Sequence, residues 1–202
     1  MSFLSASFWL SSLGTLGVLI VTFAETGLLI GFFLPGDSLL FTAGVLSATS
    51  GATHLSLPLV LLAAAVGALS GAQVGFEIGR RGGRALLARS RNPHLAKGVV
   101  RAEEMFERYG HGKAIVLARF IPIVRTVLNP LAGILSVPTK VFTLWQVLGG
   151  LAWSIGVTLA GYGLGASIPG IDQYLLPVIA VIVVVSLIPV GLELWRARQR
   201  QR

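Results

Sequence analysis

Phe32-Phe33-Leu34-Pro35-Gly36-Asp37-Ser38 sets a proline, a glycine and a carboxylate side by side inside apolar sequence. Upstream, Glu25 is the only charged side chain between Met1 and Gly36, and downstream Leu39-Leu40-Phe41-Thr42-Ala43-Gly44-Val45-Leu46 carries no charge. Pro35 has no amide proton and its ring collides with the preceding turn, so a helix arriving here stops or bends. Gly36 adopts backbone angles that other residues resist, and Asp37 or Ser38 can cap a new helix. The stretch is a helix break carrying a titratable group. A second stretch, Phe120-Ile121-Pro122-Ile123-Val124-Arg125-Thr126, repeats the break with arginines in place of the carboxylate.

The surrounding composition says where such breaks sit. Only 12% of the 202 residues are charged and 54% are hydrophobic, with a mean hydropathy of +0.81. A soluble domain carries about 25% charged residues, so the chain reads as an integral membrane protein. In lipid, broken backbone is tolerated only where it is buried in protein or lines a water-filled cavity. Both breaks are therefore candidate sites. The formal charge of +8 does not point to nucleic acid, because the basic residues flank apolar spans and act as cytoplasmic topology determinants. With no cysteine, thiolate metal sites, disulfides and cysteine nucleophiles are excluded. The N-terminus has no basic region ahead of its apolar run, which predicts no cleaved signal peptide.

Hydropathy divides the chain into spans and half-spans. Residues 8–23 are expected to form a first helix, slightly short of the roughly 20 needed to cross. Residues 24–34 and 39–48 are half-lengths, roughly 16 Å each at 1.5 Å per residue, and suit a re-entrant hairpin better than two crossings. Residues 57–79 are long enough to span, and Gly67, Gly71, Gly75 and Gly79 recur on one face, as a close helix contact requires. Glu77, four residues before Arg81, is expected to form an interfacial ion pair. From Arg80 to Lys113 nine basic residues face Glu103, Glu104 and Glu107; this reads as a cytoplasmic loop with a surface helix over 96–109. Residues 114–137 repeat the half-helix pattern, with Pro122 and Pro130 inside it. Residues 141–166 then span, and 173–195 span back to a basic tail. Trp145, Trp153 and Trp195 are expected to be packing residues or interface anchors.

The fold expected is an all-α membrane protein with one transmembrane domain. Phe33-Leu34-Pro35 matches Phe120-Ile121-Pro122, and Ala43-Gly44-Val45-Leu46-Ser47 matches Ala132-Gly133-Ile134-Leu135-Ser136. Each hairpin precedes a glycine-rich span bearing Gly79 or Gly161. Repeat 1 covers about 24–83, the loop and surface helix 84–113, repeat 2 about 114–166, and the C-terminal span 173–195. With the central loop and the tail both cytoplasmic by their charge, the hairpins enter from opposite sides. That is the inverted-repeat plan of secondary transporters, which handle substrate where broken helices meet.

Glu25, Asp37, Arg119 and Arg125 lie within this apolar sequence. Unpaired, such groups cost roughly 2.5–3.5 kcal/mol each at a helix centre, so they must pair or face water. Arginine stays charged and its planar fork matches phosphate, so Arg119 and Arg125 suit an anionic lipid headgroup. Desolvation disfavours a charged carboxylate, so Glu25 and Asp37 suit proton binding and release. Helix N-termini near Asp37 and Thr126 would add positive dipole ends. Pro35, Gly36, Pro122, Thr126 and Asn129 support the breaks, and Asn129 and Gln146 are expected to satisfy freed backbone groups.

Glu25, the Phe33-Leu34-Pro35-Gly36-Asp37 turn, Gly79-Arg80 and Arg119-Phe120-Ile121-Pro122, with Arg125-Thr126, Pro130 and Ala132-Gly133 beyond them, resemble the DedA family, also called SNARE-associated or VTT-domain proteins. The resemblance runs from about Glu25 to Gly165, and the two hairpin motifs are its specific part. It implies a multi-pass protein of the bacterial inner membrane that translocates lipid: undecaprenyl phosphate in some members, phospholipid in others, with dependence on the proton motive force. It also places the family's acidic pair on Glu25 and Asp37 and its arginine pair on Arg119 and Arg125. Gln146 departs from the family, where many members carry asparagine.

Two other classes compete. A lipid phosphatase would need a histidine nucleophile, but His54, His94 and His111 all lie in polar connecting segments, so no enzyme activity, metal or cofactor is expected. A structural or assembly factor would use the four charges only to neutralise one another and pin the hairpins together. The expected partners are an anionic lipid headgroup, protons and the membrane, with no nucleic acid; the sequence does not specify the oligomeric state.

Overall fold

A computed structural model of the chain describes residues 6–28, 36–49, 54–83, 93–119 and 122–167, and no strand occurs among them. Among the described residues seven α-helices follow in order: α1 Ala6–Gly27, α2 Gly36–Ala48, α3 Leu57–Ile78, α4 Pro93–Tyr109, α5 His111–Arg119, α6 Pro122–Ile134 and α7 Thr139–Ser167. A π-helical turn, Gly79–Gly83, extends α3. The all-α expectation holds for every described element. Pro35, residues 84–92 and the expected C-terminal span over 173–195 lie outside the described residues.

The first helix is divided differently from the sequence expectation. Its interruption falls at Gly14, with φ 53° and ψ −130°, angles that glycine reaches without the clash a Cβ would cause. Ala24 to Gly27 then closes the same helix instead of opening a separate half-helix over 24–34. The apolar part, Leu13–Gly27, extends about 22 Å at 1.5 Å per residue, short of a hydrocarbon core of about 30 Å. By contrast, Leu57–Gly83 and Thr139–Ser167, of 27 and 29 residues, are long and apolar enough to cross a membrane. Leu59, Leu62, Leu144 and Leu148 on these two elements are exposed, as a lipid-facing surface requires.

Helix α3 is the centre on which α1, α6 and α7 pack, while α2 and α5 lie on α7. The glycine face of α3 serves two neighbours. Gly67 faces the Leu19 carbonyl of α1, where a Cβ would sit 2.6 Å from the oxygen; Gly71 and Gly75 continue that contact along Phe23 and Gly27. Gly79 turns to α6 and meets the Pro130 carbonyl. Such approaches leave no room for a side chain, so the fourfold spacing read as a packing face is one.

Two helix crossings share one construction. Where α2 crosses α7, a Cβ on Gly44 would collide with the Thr158 carbonyl, and one on Gly161 with the Phe41 carbonyl. Where α6 crosses α3, a Cβ on Gly133 would collide with the Phe76 carbonyl, and one on Gly79 with the Pro130 carbonyl. On all four helices the obstructing carbonyl belongs to the residue three positions before the glycine. The motif glycines paired in the sequence, Gly44 with Gly133 and Gly79 with Gly161, are thus the contact points.

Two hydrophobic clusters flank this frame. One joins Val18, Val21, Leu39, Leu40, Val60 and Trp153; the other centres on Phe76 stacked on Phe142, with ring centroids 4.2 Å apart. The surface helix begins three residues earlier than expected, at Pro93, a residue suited to a first helical position. Ala102 and Phe106 of α4 are buried while Glu103, Glu104 and Glu107 are exposed, and Gly110, with φ 74°, turns the chain into α5. Glu77 pairs with Arg80 and Arg81 at 3.0 and 3.2 Å, the ion pair its spacing suggested.

Candidate functional site

Four helix ends bring the four charges together. Glu25 lies in the last turn of α1, Asp37 in the first turn of α2, Arg119 ends α5, and Arg125 lies in the first turn of α6. Asp37 and Arg119 sit where their own helix dipoles favour their charge; Glu25 and Arg125 sit where the dipoles oppose it. The latter two resolve the conflict by pairing with each other. Arg125 Nη2 donates to Glu25 Oε1, and the same guanidinium grips Asp37 with both terminal nitrogens, at 2.8 and 3.0 Å. The planar fork makes that second contact bidentate. Glu25 and Arg125 are buried, while the Asp37 side chain keeps 24% of its surface.

Gly36 serves this cluster in a way the sequence did not reveal. It begins α2 and is not among the glycines with positive φ, so it is not needed for an unusual backbone angle. A Cβ at this position would instead overlap the Glu25 carboxylate. Gly36 is the space in which Glu25 sits. Pro122 opens α6 and Thr126 lies one turn further on; their side chains, like all of Pro35, lie outside the described residues.

Trp153, expected only to pack or to anchor at an interface, also contacts the charged cluster. Its indole N–H donates to Asp37 Oδ1 at 2.8 Å, and its ring lies under the Arg125 guanidinium, 4.5 Å from carbon to centroid. It is 4% exposed, against 36% for Trp145. Nothing in the local sequence separates these two tryptophans; only the α2–α7 crossing puts one of them beside the carboxylate. Asn129 does what was expected, donating at 2.9 Å to the Thr26 carbonyl, one of the last-turn acceptors of α1 that lack a partner within the helix. Gln146 donates at 2.8 Å to the Leu69 carbonyl of α3.

Hydrogen bonding at the site is incomplete. Among the described residues, the buried side-chain atoms without a partner are Glu25 Oε2, Arg119 Nη1 and Nη2, Arg125 Nε and Gln146 Oε1. Arg119 is 2% exposed and interacts electrostatically with both Glu25 and Arg125. Stable interiors leave few such groups, and here they gather on residues at the helix breaks and on the facing α7.

The VTT domain profile matches residues 34–163, a stretch that contains Asp37, Arg119, Arg125, Gln146 and Trp153. The chain belongs to the DedA family. It is 40% identical over 206 residues to an uncharacterized membrane protein of Mycobacterium tuberculosis strain H37Rv, covering 97% of this chain and 89% of that one. It is 35% identical over 181 residues to Protein DedA of Escherichia coli K12, covering 89% and 81%. Inner membrane protein YqjA of the same strain is 35% identical over 147 residues, covering 72% of this chain and 65% of its own length. No solved structure matches. As a DedA-family member the protein is a membrane protein, in keeping with the exposed apolar residues of α3 and α7.

Proposed function

We propose that this DedA-family protein moves a phosphate-bearing lipid, undecaprenyl phosphate or a phospholipid, across the bacterial inner membrane, coupled to protons. One observation carries the reading: two carboxylates and two guanidiniums converge in an apolar helical body with buried hydrogen-bonding capacity unused. Ion pairs kept only for stability are replaceable by apolar packing, often with a gain, so their presence in a membrane interior points to function.

The steps follow from the contacts. Arg125 is held by Glu25 and Asp37. Protonating either carboxylate removes a negative charge and loosens that hold, so the fork can turn to a headgroup phosphate. Releasing that proton to water on the other side restores the carboxylate as a competitor for Arg125 and expels the phosphate. Glu25 and Asp37 are the proton carriers, Arg119 and Arg125 bind the headgroup, and Trp153 keeps Asp37 and Arg125 in register. The alike crossings at Gly44–Gly161 and Gly133–Gly79 support a repeated unit, and the basic central loop and tail, read as cytoplasmic, would make that repeat an inverted one of two re-entrant hairpins. Such repeats rock about a fixed mid-membrane site.

In proteoliposomes bearing a pH gradient, Asp37→Asn and Glu25→Gln should each abolish lipid transport with membrane abundance nearly unchanged. Each swap keeps shape and removes titration. Proton-dependent transport at the normal rate in both variants would remove the carboxylates from the mechanism. A purely structural cluster would instead show as loss of folded protein.

A further inference from the structure

The two arginines are not equivalent in this fold. Arg125 is occupied: both terminal nitrogens hold Asp37, and Nη2 also holds Glu25. Arg119 is as deeply buried, yet neither of its terminal nitrogens has a hydrogen-bond partner among the described residues. Its stem lies on two glycines of α7: a Cβ on Gly149 would sit 3.4 Å from Arg119 Cγ, and one on Gly150 3.4 Å from Cζ and Nη2. Gln146, one turn earlier, shares this face of α7. Its amide nitrogen is fixed by the Leu69 carbonyl, and the Leu69 side chain borders Gly150. The amide oxygen is therefore oriented, buried and without a partner. A buried guanidinium whose terminal nitrogens make no hydrogen bond is costly, and its natural complement is an oxyanion met by two parallel N–H groups.

We infer that Arg119 and Gln146 form an oxyanion subsite distinct from the Arg125–carboxylate cluster. Arg119 binds the anion through Nη1 and Nη2 while Arg125 is still held by Glu25 and Asp37. Gln146 Oε1 accepts a hydrogen bond from the same ligand, which must then carry a proton donor beside its charge, as a singly protonated phosphate monoester does. The inference rests on the headgroup reading above and assigns first contact with the phosphate to Arg119.

Thermal unfolding of the full-length protein in detergent tests this, with dodecyl phosphate, dihexyl phosphate, inorganic phosphate and dodecanol as probes. Dodecyl phosphate should raise the midpoint of the wild-type protein and dodecanol should not. Arg119→Met should raise the midpoint without any probe, because it removes a buried charge whose terminal nitrogens make no hydrogen bond, and should abolish the response to dodecyl phosphate. Arg119→Lys should bind roughly tenfold or more weakly, having lost the paired hydrogen bonds. Gln146→Met should weaken dodecyl phosphate several-fold and leave dihexyl phosphate, which has no proton to give, unchanged. Stabilisation by inorganic phosphate as well would mean that the subsite reads a free oxyanion; stabilisation by dodecyl phosphate alone would mean a lipid headgroup. Both results support the subsite. Undiminished binding by Arg119→Met, or a lower midpoint of that variant without probe, would overturn it and leave the transport reading standing. No response of the wild-type protein to any phosphate would overturn both.

Discussion

The two halves of the molecule are built alike where helices cross and unlike where they break. At the crossings, Gly44 against Thr158 and Gly133 against Phe76 use the same glycine, the same carbonyl three residues before its partner glycine, and the same absence of side-chain room. At the breaks, α1 and α2 supply Glu25 and Asp37, whereas α5 and α6 supply Arg119 and Arg125. A shared frame thus carries opposite charges to one place. The like glycine contacts serve the packing, and the unlike helix breaks supply the opposite charges. The arginines extend the contrast: Arg125 holds both carboxylates, whereas neither terminal nitrogen of Arg119 has a hydrogen-bond partner among the described residues.

The largest effect should come from the engaged arginine. Arg125→Met leaves Glu25 and Asp37 without their cation, and breaking a buried pair by removing one partner costs about 3–5 kcal/mol. Its unfolding midpoint in detergent should fall well below that of the wild-type protein. A midpoint at or above the wild-type value would mean that the cluster contributes nothing to the fold.

The crossings should respond as equals. Gly44→Val and Gly133→Val each force a side chain against a carbonyl, and overpacking of this kind costs about 1–3 kcal/mol, occasionally more. Similar losses of folded protein on size-exclusion chromatography are expected for the two variants. Tolerance at one site and collapse at the other would show that the two crossings are not mechanically equivalent.

A smaller effect is expected at the residue that joins frame to charge. Trp153→Phe keeps a ring under Arg125 but removes the donor to Asp37, a hydrogen bond to a charged group worth about 1.5–3 kcal/mol. The partly exposed Asp37 can recover some of this from water, so the stability loss should lie at or below the lower end. Transport should suffer more than folding, and equal rates in variant and wild type would reduce Trp153 to packing. Smallest of all, Gly156→Ala meets no atom within 4 Å and should stabilise α7 by about 0.5–1 kcal/mol or less. A marked loss there would mean that this face of α7 contacts another chain.

Much of this was legible in the sequence because lipid punishes exceptions. Glu25, Asp37, Arg119 and Arg125 stood out as charges in apolar runs, and Pro122 marked a boundary that the structure keeps as the first residue of α6. Gly67, Gly71, Gly75 and Gly79 announced a packing face by their spacing alone. The rest depended on which helices touch. The Gly14 interruption has no proline and no charged neighbour to distinguish it from other glycines. Gly36 read as a backbone requirement because its role as space for Glu25 exists only after α1 and α2 meet. Trp153 and Trp145 look alike along the chain and differ only in what α2 and α5 place against them. That Arg125 takes both carboxylates and Arg119 neither could not be read from four charges whose spacing allows either pairing.

The central claim is that this site moves a lipid by its phosphate. Purified protein in liposomes under a pH gradient should translocate a labelled phosphate-bearing polyprenyl lipid or phospholipid. Excess unlabelled phosphate lipid should compete with that movement, and the matching uncharged alcohol should not. Equal competition by the alcohol, or equal movement in protein-free liposomes, would contradict the account.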